Sequence, residues 1–220
     1  MLRSAVIVAL IAGGALPIAA QVHAGLKVRI DGQGASTPEA SGTIKFAPVG
    51  KGFQISGGPG AIFWNPTDTV KGIYAVRATF TLLKPSATIT DYGLFFGGRD
   101  LEGTPDYVYF TIAQDGAFQV RHRSGPEIHE IDRSLHFMVK KPDASGKSVN
   151  TLEVQVAPTA VSYLINGAVV HATPTRPGTG SYTEGEKTNG SAGIRIDNPI
   201  ELQVDEFRVI QPFTPPVRGQ

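Results

Sequence analysis

The sequence predicts an all-β protein built as two antiparallel sheets packed face to face, and three observations carry that prediction. Glycine (26) and proline (16) are abundant in 220 residues, punctuating the chain as short strands and tight turns require. Beyond the first two dozen residues no stretch has the 3.6-residue apolar period of a helix, whereas several alternate cleanly. Finally, Asp106 to Ser124 reads as a hairpin with both faces legible. Val108, Phe110 and Ile112 oppose Tyr107, Tyr109 and Thr111, and Phe118, Val120 and His122 oppose Gln119, Arg121 and Arg123. One apolar and one polar face per strand is what a two-layer sandwich needs.

The turn of that hairpin fixes its register. A two-residue Asp-Gly turn would set Phe110 opposite Arg121, crossing an apolar face with a polar one. A three-residue loop, Gln114-Asp115-Gly116 with Gly116 left-handed in a bulge, instead pairs Ile112 with Phe118, Phe110 with Val120 and Tyr109 with Arg121. The expected product is a sheet with one buried face and one carrying tyrosines and arginines.

In chain order, residues 1–24 read as a signal peptide: Arg3 is the basic start, Ala5 to Leu16 the apolar run, Pro17 a breaker and Val22-His23-Ala24 the cleavage site. The run is short for a membrane span, so none is expected after cleavage. A single domain is expected over 25–211. Leu26 to Ile30 predicts a strand, Asp31 to Gly42 a polar connection, and Thr43 to Ala47, Gly52 to Ser56 and Ala61 to Trp64 short strands between glycines and prolines. Ile73 to Leu83 alternates, with Tyr74, Val76, Ala78, Phe80 and Leu82 on one face. Tyr92 to Phe96 follows, closed by Gly97-Gly98, and then the hairpin. Leu135 to Lys140 and Leu152 to Val156 continue the series. Ala160 to Ala172 turns at Asn166-Gly167, which pairs Ile165 with Ala168 and Leu164 with Val169. Thr173 to Gly190 is a long polar connection, either disordered or lying over a site. Ala192 to Asp197 and Glu201 to Ile210 end the fold, the latter broken in phase at Asp205-Glu206, where a bulge is predicted. Residues 212–220 form a Pro-rich tail expected to be poorly ordered.

Composition excludes several functions. Removing the leader takes one Arg from 20 basic residues and nothing from 19 acidic ones, which leaves a balanced chain with no electrostatic case for nucleic acid. There is no cysteine, so a lipoprotein anchored through a cysteine after the apolar run, disulfides and thiol nucleophiles are ruled out. Stability must come from a core, for which the roughly 196 remaining residues suffice. A periplasmic or secreted monomer is expected.

The segments YGLFFGGRDL, YVYFTIAQDGAFQVRHRSG, NTLEVQV with VSYLINGAVV, and SAGIRIDNPIELQVDEFRV resemble, in order and spacing, the concanavalin A-like (LamG-like) jelly rolls. Over about residues 50 to 210 they are most similar to bacterial secreted domains grouped as the 3-keto-disaccharide hydrolase domain. The resemblance implies a jelly-roll sandwich acting on, or binding, carbohydrate. It rests on strand and turn signatures rather than a catalytic motif.

Candidate chemistry narrows quickly. Laminarinase-like glycosidases of this fold carry Glu-x-Asp-x-x-Glu on one strand. Glu130-Ile131-Asp132 matches its start, but Leu135 stands where the last acid belongs, so the retaining mechanism fails. Histidines 122, 129, 136 and 171 lack zinc spacing, and His122, on the apolar phase opposite Val108, reads as a buried structural histidine. Asp197-Asn198 and Asp205-Glu206 offer hard oxygens for a structural calcium ion, without a dense ligand loop; no other cofactor is expected. Gly146-Lys147-Ser148 lacks the first glycine of a phosphate loop, and no Gly-x-Ser-x-Gly exists.

What remains is the polar sheet face. Tyr109 beside Arg121 and Tyr107 beside Arg123 place amphipathic rings next to planar donors, a combination that stacks on sugar rings and fixes hydroxyls. Trp64, Asn65, Tyr92 and Arg99 could line the same concavity. The expected function is a non-catalytic carbohydrate-binding domain. The alternatives are a glycoside-active enzyme, with Asp100, Asp106 or Glu130 near the face, and a protein-binding adhesion or structural module.

Overall fold

The computed structural model describes residues 25–36, 42–175 and 188–215. The expected signal peptide, most of the 173–190 connection and the last five residues of the tail lie outside the described residues.

Among the described residues the fold is two antiparallel sheets. One has eight strands in the order β10 (Glu127–Leu135), β9 (Ala117–Ser124), β8 (Asp106–Ala113), β7 (Asp91–Arg99), β14 (Gly190–Ile196), β5 (Ala61–Val70), β1 (Lys27–Ile30) and β2 (Ala35–Ser36). The other has seven, in the order β13 (Ala168–Pro174), β12 (Ala160–Ile165), β11 (Ser148–Val156), β6 (Tyr74–Lys84), β15 (Ile200–Ile210), β4 (Gly52–Gly57) and β3 (Ile44–Val49). Their facing sides interdigitate into one core, to which β6 gives Tyr74, Val76, Ala78, Phe80 and Leu82 and the hairpin gives Val108, Phe110, Ile112, Phe118 and Val120. Burying such side chains is worth roughly 1.5–3 kcal/mol each, which is how a chain without disulfides holds together.

The expected hairpin register is the observed one: Ile112 faces Phe118, Phe110 faces Val120 and Tyr109 faces Arg121. Gly116 takes φ +94° and its amide donates to the Ala113 carbonyl at 3.1 Å. At Asn166-Gly167, both residues have positive φ, and Ile165 pairs with Ala168 and Leu164 with Val169. The bulge in β15 is also present, with a register shift between Asp205 and Arg208 and Glu206 at φ +54°.

Two expectations are corrected. The connection after β1 contains β2, which pairs Ala35 and Ser36 with Arg29 and Val28. The strand expected over Leu135 to Lys140 is instead the end of β10 followed by a turn. The His136 amide donates to Gly116, and Val139 closes back onto His136. Asn150, wholly buried, exchanges hydrogen bonds with both backbone groups of Lys140 at 2.8 and 2.9 Å, while Asn166 donates to the Met138 carbonyl at 2.7 Å. Two asparagines thus take the backbone groups that a partner strand would have used.

Candidate functional site

The side of the eight-stranded sheet that faces away from its partner carries the polar phase of β8 and β9. Along one row across it lie Glu130, Arg121, Tyr109, Phe95, Gly193 and Trp64. In the next row lie Arg133, Gln119, Thr111, Gly93, Arg195 and Ile62. Gly193 is required there, since a Cβ would lie 2.0 Å from the Phe63 carbonyl oxygen and 2.6 Å from Cε1 of the Phe95 ring.

Half of this face is closed by the chain itself. Tyr107 and Tyr109 are each 1% exposed and Trp64 3%. With Ile62, Phe95 and Leu101 they form a second, smaller apolar cluster. Leu101 comes from the connection between β7 and β8, which folds over the face. Asp100, at φ +45°, accepts the Thr104 amide on its carboxylate at 2.7 Å and the Gly103 amide on its carbonyl. Arg29 donates to the Leu101 carbonyl at 3.1 Å, and Lys27 pairs with Glu102. The tyrosine rings expected to lie open for stacking are therefore packed at 5.3 to 5.8 Å against Phe95 and each other.

The centre of the face is an ion cluster. Arg195, 3% exposed, donates from Nη2 to Asp31 at 2.6 Å, from Nε to Asp197 at 2.6 Å, and from Nη1 to Asp31 at 2.9 Å and Tyr107 Oη at 3.3 Å. Arg123 adds a bond to Asp31 at 2.8 Å and another to the Gly125 carbonyl at 2.9 Å. Burial works to raise the Asp31 carboxyl, but the hydrogen bonds and charges of Arg195 and Arg123 outweigh it and hold the group below its ordinary value. Burial also raises the Tyr107 hydroxyl and, helped by the Asp197 carboxylate, pushes Tyr109 up to about 12.

Beyond this cluster the face opens at one end. Asp91 and Asp197 end neighbouring strands there, the Asp197 amide donating to the Asp91 carbonyl at 3.0 Å. Burial, then the Asp197 charge, pushes the Asp91 carboxyl up to about 6 against the pull of Arg121 and Arg133. Arg121 pairs with the exposed Glu130 at 3.0 Å. Behind these charges Thr111 Oγ1, Gln119 Nε2 and Arg121 Nε are buried and have no hydrogen-bond partner among the described residues, although the Arg121 guanidinium is held elsewhere by Glu130 and Tyr109. Leaving such a group unsatisfied costs about 1–3 kcal/mol. A polar molecule that reached these three groups would satisfy them.

Of the residues expected to form the site, Tyr107, Tyr109, Arg121, Arg123 and Trp64 share this face. Tyr92 does not. It lies between the sheets against Phe80, at 5.8 Å, because it is in phase with core residues Leu94 and Phe96. Arg99 is tied to Asp106 at 3.1 Å, and Asn65 accepts the Thr67 amide and hydroxyl within β5. His122 is buried opposite Val108 and bonded to Asp106 at 3.0 Å. The pairs singled out for calcium meet protein partners: Arg195 sits on Asp197, and Gln203 donates to Asp205 at 2.8 Å. Among the described residues no three acidic or histidine side chains gather as a metal set. Asp31, Asp91, Thr111, Gln119 and Arg195 are the additions. Arg195 is signalled by its place between Ile194 and Ile196, and Thr111 and Gln119 by their phase, but no local pattern announces Asp31.

No family model and no curated protein sequence matches the chain. Solved structures do. A protein of unknown function with a galectin-like fold from Bacillus subtilis aligns at TM-score 0.58 and 14% identity, over 87% of this chain and 91% of its own. The carbohydrate binding module CBM66 from Bacillus subtilis aligns at 0.57 and 8%, over 76% and 92%. The carbohydrate recognition domain of Emp46p, potassium-bound, aligns at 0.58 and 10%, over 87% and 90%. At these identities the likeness establishes the fold, a jelly-roll sandwich of the concanavalin A and galectin kind.

Proposed function

We propose that the chain is an exported, non-catalytic carbohydrate-binding domain that holds a glycan on the outer face of the eight-stranded sheet, at the end where Asp91, Arg121, Arg133 and Asp197 meet. The observation that carries this reading is the set of buried, unpartnered groups behind those charges, Thr111 Oγ1, Gln119 Nε2 and Arg121 Nε. A sugar hydroxyl donates and accepts at once, so it matches carboxylate acceptors beside guanidinium and amide donors. Tyr109 and Tyr107 serve from beneath, as the packed floor that fixes Arg121 and Arg195, rather than as stacking platforms. The fold supports the reading through CBM66 and the Emp46p domain, which are carbohydrate binding and recognition domains on the same scaffold. The exported character of this reading rests on the leader expected in residues 1–24.

The test is a titration against a broad panel of polysaccharides. A glycan that binds the native chain and loses affinity on Arg121→Ala and Gln119→Leu supports the site; silence across the panel overturns it.

A second reading, a glycoside-active enzyme of the 3-keto-disaccharide hydrolase type, is favoured by one feature. Asp91, held up to about 6 beside Asp197, is a carboxyl poised for proton transfer near neutral pH. Release of reducing sugar from 3-keto-glycosides, abolished by Asp91→Asn, would establish it. Binding without release would exclude it for the sugars tried.

A further inference from the structure

Two backbone irregularities, one in each sheet, meet at one rim of the sandwich. In β5 the four residues from Asn65 to Asp68 stand against the single Ala192 of β14, because Trp64 pairs with Gly193 and Thr69 with Ser191. In β15 Glu206 and Phe207 stand against the single Ala78 of β6, because Asp205 pairs with Thr79 and Arg208 with Arg77. Glu206 sits at φ +54°, in the left-handed region that a glutamate enters only under constraint. Bulges and strained residues of this kind gather where a chain re-aims side chains at a ligand.

Here they leave a cavity of about 160 Å³ with an apolar floor that includes Phe53, Phe63 and Val204 and a rim that includes Asp68, Glu206 and Lys51. That volume suits one six-membered ring, since a dry apolar cavity of about 150 Å³ takes benzene. Asp68 is partly buried, has neither hydrogen bond nor ion pair with any described residue, and is raised by burial alone. Glu206 meets Arg208 at 3.4 Å with both side chains more than half exposed, a contact that water largely screens. The rim therefore presents two weakly engaged carboxylates against one exposed lysine.

We propose that this rim cavity binds a small molecule with a ring-sized apolar body and a protonated amine, the body on Phe53, Phe63 and Val204 and the ammonium between Asp68 and Glu206. An anionic ligand would meet two like charges, and a neutral one would leave Asp68 desolvated and unpaired. The site shares no residue with the charged end of the outer face and does not rest on the glycan reading.

The test titrates the whole chain with benzylammonium, benzyl alcohol and benzoate at pH 7, by ligand-observed NMR and calorimetry. Benzylammonium is expected to bind at least about tenfold more tightly than benzyl alcohol, and benzoate not to bind. Asp68→Asn, a change at a partly exposed position, removes that advantage while the thermal midpoint is kept, and Glu206→Gln reduces it. Lys51→Ala leaves benzylammonium binding intact. Equal binding of the three probes, binding of none, survival of the preference in Asp68→Asn, or its loss in Lys51→Ala overturns the proposal.

Discussion

Arg195 lies over the ring of Tyr109, its Cζ 5.5 Å from the ring centroid, while its nitrogens are spent on Asp31, Asp197 and the Tyr107 hydroxyl. A planar, permanently charged group suits that position because it stacks on a face and bonds through its edge at the same time. Arg195→Met should cost about 3–5 kcal/mol, since it takes the arginine from Asp197 and leaves Asp31 with Arg123 alone. Arg195→Lys should recover only part of it, as an ammonium cannot reproduce the fork. Urea unfolding of the three proteins decides this. Asp31, whose folded value is depressed, contributes stability that is present above the ordinary carboxylate range and lost as pH falls through its folded value.

Asp91 has the opposite sign. Its folded value is raised to about 6 from 3.8, so the folded state binds the proton more tightly than the unfolded one. Stability should therefore fall as pH rises from about 4 to about 6 on this group's account. Asp91→Asn should stabilise the protein by about 1–3 kcal/mol at pH 7 and change little at pH 4. Denaturation curves at the two pH values check it; equal effects at both would show that another group sets the trend.

Thr111→Val and Gln119→Leu should separate stability from function. Each replaces a buried polar group that has an unpartnered atom with an apolar one, so folding should change by less than about 1 kcal/mol or improve. If the glycan reaches these groups, affinity for it should drop by about 1–2 kcal/mol. A loss of stability without a loss of affinity would place the ligand elsewhere.

Leu101→Ala should loosen the lid over the outer face. The lost packing costs about 2–4 kcal/mol, and Trp64, the sole tryptophan of the chain, should shift its emission to the red as water reaches it. By contrast Tyr109→Ala should cost about 3–5 kcal/mol of folding, which makes it a poor probe of ligand contact. Arg121→Ala is the cleaner one, because Arg121 touches solvent.

The parts of the fold visible in the sequence are those set by local rules. Gly116 and Asn166-Gly167 fixed their hairpins because each demands a left-handed backbone, and strict alternation placed β6 and the faces of β8 and β9. The displaced Tyr92 was legible too, since its phase matches Leu94 and Phe96, but a tyrosine's hydroxyl invites a functional reading that phase alone contradicts. Other features were not visible. The Arg195–Asp31 contact spans 164 residues, and the lid depends on Leu101 arriving from a connection whose length says nothing of where it lies. Alternation separates the two faces of a sheet without saying which outward face another segment covers.

The strands at the four sheet margins, β10, β2, β13 and β3, bear on how copies of this chain behave beside one another. An unpaired margin templates further strands unless something interrupts it. β2 is two residues long; β10 is studded with charge and shifts register between Glu130 and Asp132; β3 carries Pro48; and β13 ends at Pro174 with a shift where it meets β12. Each of these features shortens or interrupts the regular run of backbone groups that an incoming chain would have to match. At rising concentration, sedimentation should therefore show no edge-to-edge fibrils growing from the sheet ends.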